Sequence, residues 1–353
     1  MQKRLETVLA LLLAVLTVSV TSLLYLFPQM HTYAFYEAPE EGVYSVLDLI
    51  RDDKTYLDVA SYNIEEDMEH QLRLELPSNV SYDSITIREE PIYHTFTVSI
   101  PGVESNYVYN YPVVGSSDNI IDFTFDYADD TGILELTMDR VYVLKTTSEG
   151  SYVYLDFLDP SEVYDALVVV DAGHGGKDGG CNSAGVLEKE LNLQIVEKIK
   201  DIFDKSDYNI GVYYTRLRDF NPEYEDRVTL ANDLDADLFL SVHINSTASG
   251  RTSGINGSEV MYRSSDPSGA SKAFSAHCLD AMLSTLGSSS KGLVAGDEIY
   301  IIRTSKVPVA LAEIGFITNE KEREKMQSEE YQQKAALALY DAIITTLKEN
   351  GKL

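Results

Sequence analysis

The sequence of 353 residues predicts an α/β fold for its C-terminal half, with a twisted, mostly parallel sheet flanked by helices. An all-β domain precedes that half, and one N-terminal transmembrane helix precedes both. Three observations predict this order: an uncharged apolar run, short alternating segments between turn formers, and buried strands that alternate with helical patterns. We expect three parts, 1–30, 31–165 and 166–353.

The N-terminal part is predicted to anchor the chain in a membrane. Residues 7–27 contain no charge, and as a helix they would rise about 32 Å, enough to cross the hydrocarbon core. Lys3 and Arg4 precede this run, so the positive-inside rule keeps the N-terminus in the cytoplasm and places the rest outside. A cleaved signal peptide is the alternative, although no clean A-x-A cleavage site stands before Phe27.

The middle part is strongly acidic. The whole chain has 28 Lys+Arg against 57 Asp+Glu, a formal net charge of −29, and residues 31–160 alone carry 26 Asp+Glu and 6 Lys+Arg. This charge argues against nucleic acid as a partner, because a phosphate backbone is bound through Lys and Arg. The two cysteines are too few for a disulfide scaffold.

Short runs rich in Val, Ile, Thr, Tyr and Phe predict a β-sandwich or small barrel in this acidic part. The runs span 70–76, 84–88, 95–100, 120–127, 132–138, 142–145 and 152–157. His70 and His94 are isolated, and we see no cluster of residues there that would carry chemistry. Most of its 14 tyrosines should pack in the core or across strands, and a minority could stack on sugar rings.

Strands and helices alternate from residue 166 onward. The predicted strands are 166–171, 209–215, 238–244, 258–262, 298–302 and 307–316, and the predicted helices are 191–203, 222–234, 271–286 and 329–347. In sheets of this kind, ligand sites gather beyond the carboxyl ends of the strands.

Four polar residues of interest are placed at or near those ends: His174, Glu188, His243 and Glu313. Two imidazoles and a carboxylate suit Zn²⁺ and leave a fourth position for water, and a further carboxylate would serve as proton shuttle. Spacing alone leaves a structural role open for each histidine. Glu313 lies in an apolar run, where a charge is costly unless it is functional or paired, for example with Arg303 or Lys306.

Residues 168–350 resemble the zinc-dependent N-acetylmuramoyl-L-alanine amidases, the amidase type 3 family. The matching segments are 168–178 around His174, 185–193 around Glu188, 214–216 with Arg227 and 231–232 downstream, 241–246 around His243, and 308–319 around Glu313. Family members often have Pro where this chain has Ala172. In the family the ligand is the glutamate before lysine, hence Glu188 and not Glu190.

The resemblance implies hydrolysis of the bond between the lactyl group of N-acetylmuramic acid and L-alanine. It further implies that His174, Glu188 and His243 hold Zn²⁺, with water in the open position. Glu313 would be the catalytic residue, which takes a proton from the attacking water and passes it to the departing amine.

Other residues near the motifs are assigned supporting roles. Asn245 and Arg216 are expected to orient substrate or support the site, with support as the default. Asp171 is a candidate to support a metal-bound imidazole. Both cysteines are expected to be free thiols, although a thiolate such as Cys181 can ligate zinc. Lys189 is expected on a solvated surface.

Bacterial peptidoglycan is the expected partner, and the cell membrane, with the catalytic part outside, is the expected location. The β domain occupies a position similar to that of AMIN-type wall-targeting domains, which suggests that it binds the wall. Deleting 31–160 should then reduce wall binding more than turnover of a small soluble muropeptide. Two alternatives stay open: another zinc-dependent wall hydrolase, such as a peptidase or deacetylase, and a non-catalytic wall-binding protein.

Overall fold

The computed structural model describes residues 48–51, 54–57, 70–115 and 117–353. The predicted membrane anchor, 1–30, lies outside these residues. Within the described ranges, no helix combines the length and the apolar character needed to cross a bilayer.

The described residues of the acidic part form two antiparallel sheets. The first has the strand order β1-β2-β7-β8-β5-β4 and the second the order β6-β3-β10-β9. The strands are β1 Asp48–Arg51, β2 Lys54–Leu57, β3 Leu72–Glu75, β4 Thr86–Glu90, β5 Thr95–Pro101, β6 Val114–Gly115, β7 Ile120–Ala128, β8 Thr131–Met138, β9 Val143–Glu149 and β10 Tyr152–Leu158. Short helical turns at Tyr82–Ser84 and Pro91–Tyr93 and the helix α1, Tyr107–Asn110, connect them.

Alternating side chains of the two sheets face each other and form one core. In β5, Phe96, Val98 and Ile100 are buried, and the residues between them are partly exposed. They join one apolar cluster with Val153, Leu155 and Phe157 of β10, from the other sheet. A period of two with one buried face is typical of a β-sandwich, so the predicted all-β architecture is present, and we call it the sandwich.

The C-terminal part is a six-stranded sheet with the order β14-β11-β15-β18-β16-β17. Its strands are β11 Ala166–Ala172, β14 Ile210–Tyr214, β15 Leu238–Asn245, β16 Ser258–Tyr262, β17 Ser290–Ala295 and β18 Val309–Phe316. The first four in this order are parallel, β16 is antiparallel to β18, and β17 is parallel to β16. The mostly parallel sheet predicted from the sequence is therefore confirmed.

Helices cover both faces of this sheet. They are α2 Pro160–Val163, α3 Glu188–Phe203, α4 Tyr224–Asp233, α5 Ala270–Leu286, α6 Tyr300–Thr304, α7 Glu320–Met326 and α8 Glu329–Glu349. Apolar residues of α3, α5 and α8 pack on one face with Val168 and Val170. Residues of α4 and α6 pack on the other face with Leu167 and Val169. Because successive strand residues point to opposite faces, a strand covered on both sides is apolar throughout.

Two local predictions in this sheet are wrong. Residues 298–302 do not form a strand, because the helix α6 occupies Tyr300–Thr304 and buries Ile301 and Ile302 against α4. The strand that the sequence did not predict is β17, Ser290–Ala295. β17 lies at the sheet edge, so its side chains are exposed or partly exposed and its apolar signal is weak.

Candidate metal centre

Three side chains meet at the carboxyl edge of the parallel strands. His174, Glu188 and His243 each offer one ligand atom, and these atoms lie within 4.8 Å of one another. Glu188 Oε1 is 3.2 Å from His174 Nε2 and 2.9 Å from His243 Nδ1. The structure therefore brings together the three residues that the resemblance assigned to a metal.

Each of the three residues comes from a different element. His174 lies two residues after the end of β11, Glu188 is the first residue of α3, and His243 lies in β15, which pairs with β11. A two-stranded ribbon, β12 Asn182–Ser183 and β13 Val186–Leu187, leads the chain from the first histidine to the helix.

Glycines make room for these side chains. A Cβ on Gly173 would lie 2.3 Å from the His243 ring, and a Cβ on Gly180 would lie 2.6 Å from Glu188 Oε2. Gly180 also has a φ of 63°, and His174 itself has a φ of 61°, a left-handed conformation that side chains disfavour. Glycine is therefore required at 173 and 180 because other atoms approach the backbone closely there.

Two buried arginines hold the backbone around His174. Arg216 donates to the carbonyls of Ala172 and Gly173 at 2.8 and 2.9 Å. Arg227 donates to the carbonyls of Ala172 and His174 at 2.9 and 2.8 Å. Arg216 is only 2% exposed, so of its two expected roles the structure supports the structural one.

Asp171, the candidate to support a metal-bound imidazole, bonds three other groups directly. Its carboxylate is buried and accepts hydrogen bonds from Arg227, Thr215 and Ser241. Burial opposes the charge on Asp171, but the Arg227 guanidinium and the two hydroxyl donors outweigh it and lower the pKa of the carboxyl. Asp171 therefore neutralises the charge of the buried Arg227. Because the Asp171 side chain is itself buried, it is not accessible to substrate.

The carboxylate that contacts a ligand imidazole is Asp178. Asp178 Oδ2 lies 2.8 Å from His174 Nδ1, and Asp178 Oδ1 accepts from the Gly180 N–H at 3.0 Å. Such a partner fixes the orientation of a metal-binding ring. Burial lowers the pKa of His174, but Glu188 and Asp178 together raise it to about 9. Burial likewise opposes the charge on Glu188, and the two histidines overcome this and hold its pKa far below the usual range.

Glu313 lies beside these three residues. It is the register partner of His243 in the neighbouring strand β18, so the two side chains leave the sheet on the same face. Glu313 Oε2 is buried and has no hydrogen-bond partner, which does not favour the alternative of a carboxylate paired with Arg303 or Lys306. Burial raises the pKa of Glu313 to about 7.

The donor set fits a divalent transition metal. Two imidazole nitrogens and one carboxylate are a common set for catalytic zinc. The unpaired Glu313 Oε2 supplies a second observation, since a buried polar atom without a partner is rare unless water, an ion or a substrate satisfies it. The geometry therefore places a carboxylate oxygen without a partner next to three residues that could hold a cation.

The remaining candidates lie around this centre. Asn245 is partly exposed at the end of β15, and its Nδ2 is 3.5 Å from Glu259 Oε1. Cys181 is a free thiol whose Sγ lies 3.0 Å from Ser246 Oγ, and its backbone N–H donates to Glu188 Oε2.

Sequence reasoning missed two residues of this site. Asp178 stands four positions after His174 in the matching segment 168–178. A metal-bound imidazole usually donates to a carboxylate or carbonyl, and this was the signal that could have found Asp178. Lys189 was placed on a solvated surface, but it is only 9% exposed. Its Nζ donates to Asp219 Oδ2 at 2.7 Å and to the Gly176 carbonyl at 2.8 Å. These partners are 30 and 13 positions away in the sequence, so no local pattern predicts the contacts.

Comparisons with known proteins identify the family of this part of the chain. The family model described as N-acetylmuramoyl-L-alanine amidase (Amidase_3) matches residues 168–345. The uncharacterized protein YqiI of Bacillus subtilis (strain 168) is 36% identical over 176 residues, which cover 50% of this chain and 82% of that protein. N-acetylmuramoyl-L-alanine amidase LytC of the same strain is 33% identical over 183 residues, 52% of this chain and 36% of LytC.

A solved N-acetylmuramoyl-L-alanine amidase from Clostridium difficile 630 is 31% identical, covers 53% of this chain and 98% of its own, and has a TM-score of 0.49. The family match spans half of the chain and contains His174, Glu188, His243 and Glu313. The chain therefore belongs to the N-acetylmuramoyl-L-alanine amidase family Amidase_3.

Proposed function

We propose that this protein is a zinc-dependent hydrolase of bacterial peptidoglycan. Its substrate would be the amide bond between the lactyl group of N-acetylmuramic acid and L-alanine of the stem peptide. One observation carries the proposal: His174, Glu188 and His243 converge within reach of one cation, beside the unpaired carboxylate oxygen of Glu313. Family membership supplies the identity of the bond.

His174, Glu188 and His243 would hold the zinc ion. A zinc ion in such a site polarises a carbonyl and lowers the pKa of water. Asp178 keeps the His174 ring oriented through Nδ1, which leaves Nε2 facing Glu188. Arg216 and Arg227 fix the His174 backbone, so the donor set is held in place before a ligand arrives.

Glu313 would move the proton. Its carboxyl has a pKa of about 7, close to the value at which a group can both accept and release a proton near neutral pH. A nearby divalent cation favours the carboxylate form, which is the form that acts as base. Glu313 would take a proton from the attacking water and then give it to the departing amine of L-alanine.

The location follows from the substrate. Peptidoglycan lies outside the cytoplasm, so we propose that the catalytic part acts there. We further propose that 1–30 anchors the chain in the membrane, that 31–165 is a β domain with a role at the wall, and that 166–353 is the catalytic domain. The apolar, uncharged run at 7–27 after Lys3 and Arg4 supports the anchor.

The test is digestion of purified peptidoglycan with and without a chelator, followed by mass analysis of the products. An amidase releases stem peptides with a free L-alanine amine and leaves the glycan strands uncut. Release of acetate would indicate a deacetylase, and cleavage inside the stem would indicate a peptidase. No product from zinc-loaded protein would contradict catalysis altogether and leave the non-catalytic alternative.

A further inference from the structure

The sandwich is packed directly on the catalytic part. Ile92 and Val141 join the apolar cluster on the face of the catalytic sheet that α4 and α6 cover. Val141 is 4% exposed. A shared apolar core fixes two parts relative to each other, whereas a flexible tether leaves them free to rotate.

One turn of the sandwich also contacts the loop that follows β14. Glu90 Oε1 accepts from Arg218 Nη1 at 2.8 Å, and the Glu90 side chain is mostly buried. The Tyr93 ring lies 6.2 Å from the Phe220 ring, and the Arg218 guanidinium lies 4.8 Å from the centre of the same Phe220 ring. Arg218 and Phe220 belong to residues 216–222, which we call the bracing loop.

The bracing loop in turn holds the segment that carries His174. Asp219 Oδ1 accepts from the Gly176 N–H at 2.8 Å. The Phe220 carbonyl is so close to Gly175 that a Cβ there would lie 2.0 Å from its oxygen. Arg227 adds a third link, because the same Nη2 donates to the His174 carbonyl and to Asn221 Oδ1.

The loop reaches the second ligand segment as well. Asp219 Oδ2 accepts from Lys189 Nζ at 2.7 Å, and Lys189 directly follows Glu188 at the start of α3. One carboxylate of the bracing loop thus ties the His174 turn to the first turn of the Glu188 helix. A shift of the loop would change the distance between the two ligands.

We propose that Glu90 is a positioning residue for the metal centre, acting through Arg218 and the bracing loop. The sandwich would then set the geometry of the catalytic site in addition to any role at the wall. This inference rests on the proposed function for its activity readout, and it differs from the expectation that the β domain contributes wall binding alone.

A charge-reversal cycle tests the inference on the full chain. The variants are Glu90→Arg, Arg218→Glu and the double variant. We measure the zinc dissociation constant with a competing chelator, and kcat and KM on a soluble muropeptide. Each single variant should weaken zinc binding and lower kcat by about two- to fivefold, the size expected of a partly exposed ion pair. KM should not change, and the double variant should recover most of both losses, because Arg88 also lies 3.6 Å from Glu90 Oε1 and would repel the new arginine.

Arg140→Glu is the matched control. Arg140 also forms an ion pair next to the junction, with Asp159 at 3.0 Å, but neither residue belongs to the bracing loop, so zinc affinity and kcat should stay at the wild-type values. Glu90→Gln removes the charge without repulsion and serves if the reversed variants do not fold.

Two results would overturn the inference. One is wild-type zinc affinity and kcat in the single variants or, if those do not fold, in Glu90→Gln. The other is a double variant as impaired as the singles. If the wild-type protein cleaves no muropeptide, the proposed function fails, and the zinc dissociation constants still decide whether Glu90 positions the site.

Discussion

Replacing Glu313 by glutamine should separate metal binding from catalysis. Glutamine has nearly the same volume but cannot take a proton. Glu313 Oε2 has no hydrogen-bond partner, so the substitution breaks no bond at that atom, and we expect the free energy of unfolding to change by less than about 1 kcal/mol. The three metal-binding side chains remain, so zinc content should stay at one ion per chain.

The effect on turnover should be large. A positioned general acid–base contributes about 10²–10⁴-fold to a rate, which corresponds to about 3–5 kcal/mol of transition-state stabilisation. We expect kcat to fall within that range and KM to change little, because the loss occurs only in the transition state.

The assay is turnover of a soluble muropeptide, with zinc measured by elemental analysis and folding by thermal melting. Glu190→Gln is the matched control, since Glu190 is exposed on the same helix as Glu188 and should leave both zinc content and turnover unchanged. Wild-type turnover in Glu313→Gln would refute the assignment of the base, and loss of zinc would mean that Glu313 is itself a ligand.

Three further substitutions test the surroundings of the site. Gly173→Ala places a Cβ 2.3 Å from the His243 ring and should weaken zinc binding, measured by competition with a chelator, by about 10–100-fold. Gly254→Ala is the control, because its Cβ meets open space, and zinc binding should not change. Asp171→Asn leaves the buried Arg227 charge uncompensated and should cost about 3–5 kcal/mol of stability at pH 7. Folding lowers the pKa of Asp171. The stability that this group gives the wild-type protein is therefore present above about pH 4 and is lost as the pH falls further. In denaturant melts between about pH 5 and 3, the free energy of unfolding should fall less steeply with pH in the variant than in the wild type. Cys181→Ser should keep zinc, because the Cys181 backbone and not its thiol meets Glu188; loss of zinc would restore the thiolate as a ligand.

The parallel sheet could be predicted from local signals, and the three candidate ligands from the motifs that carry the family resemblance. The run 166–171 is apolar throughout, and the structure buries both faces of that strand. His174 and His243 follow or end such strands, and parallel strands bring their carboxyl ends to one edge. Glu188 was distinguished from Glu190 by its position in a motif, and in the structure Glu188 is buried and Glu190 is exposed.

The errors come from partners that are distant in sequence. From the sequence, Asp171 and Asp178 look equally suited to support an imidazole. In the structure Asp171 is bonded instead by Arg227, which lies 56 positions away in the sequence. The run at 298–302 is short and β-branched, and runs of that length do not distinguish a strand from a buried helical turn. The helix forms there because Ile301 and Ile302 complete the cluster beneath α4.

The ligand spacing also has a consequence for how the protein matures. Glu188 and His243 are 55 positions apart, and each ligand belongs to a different structural element. The three ligands therefore do not lie close together in the unfolded chain, which has no preformed site for the cation. A cation taken up after folding would act as a cross-link among a turn, a helix and a strand, and its binding free energy would add to the stability of the fold. Protein stripped by chelators should therefore melt at a lower temperature, and the first amides to lose protection from hydrogen exchange should be those around His174.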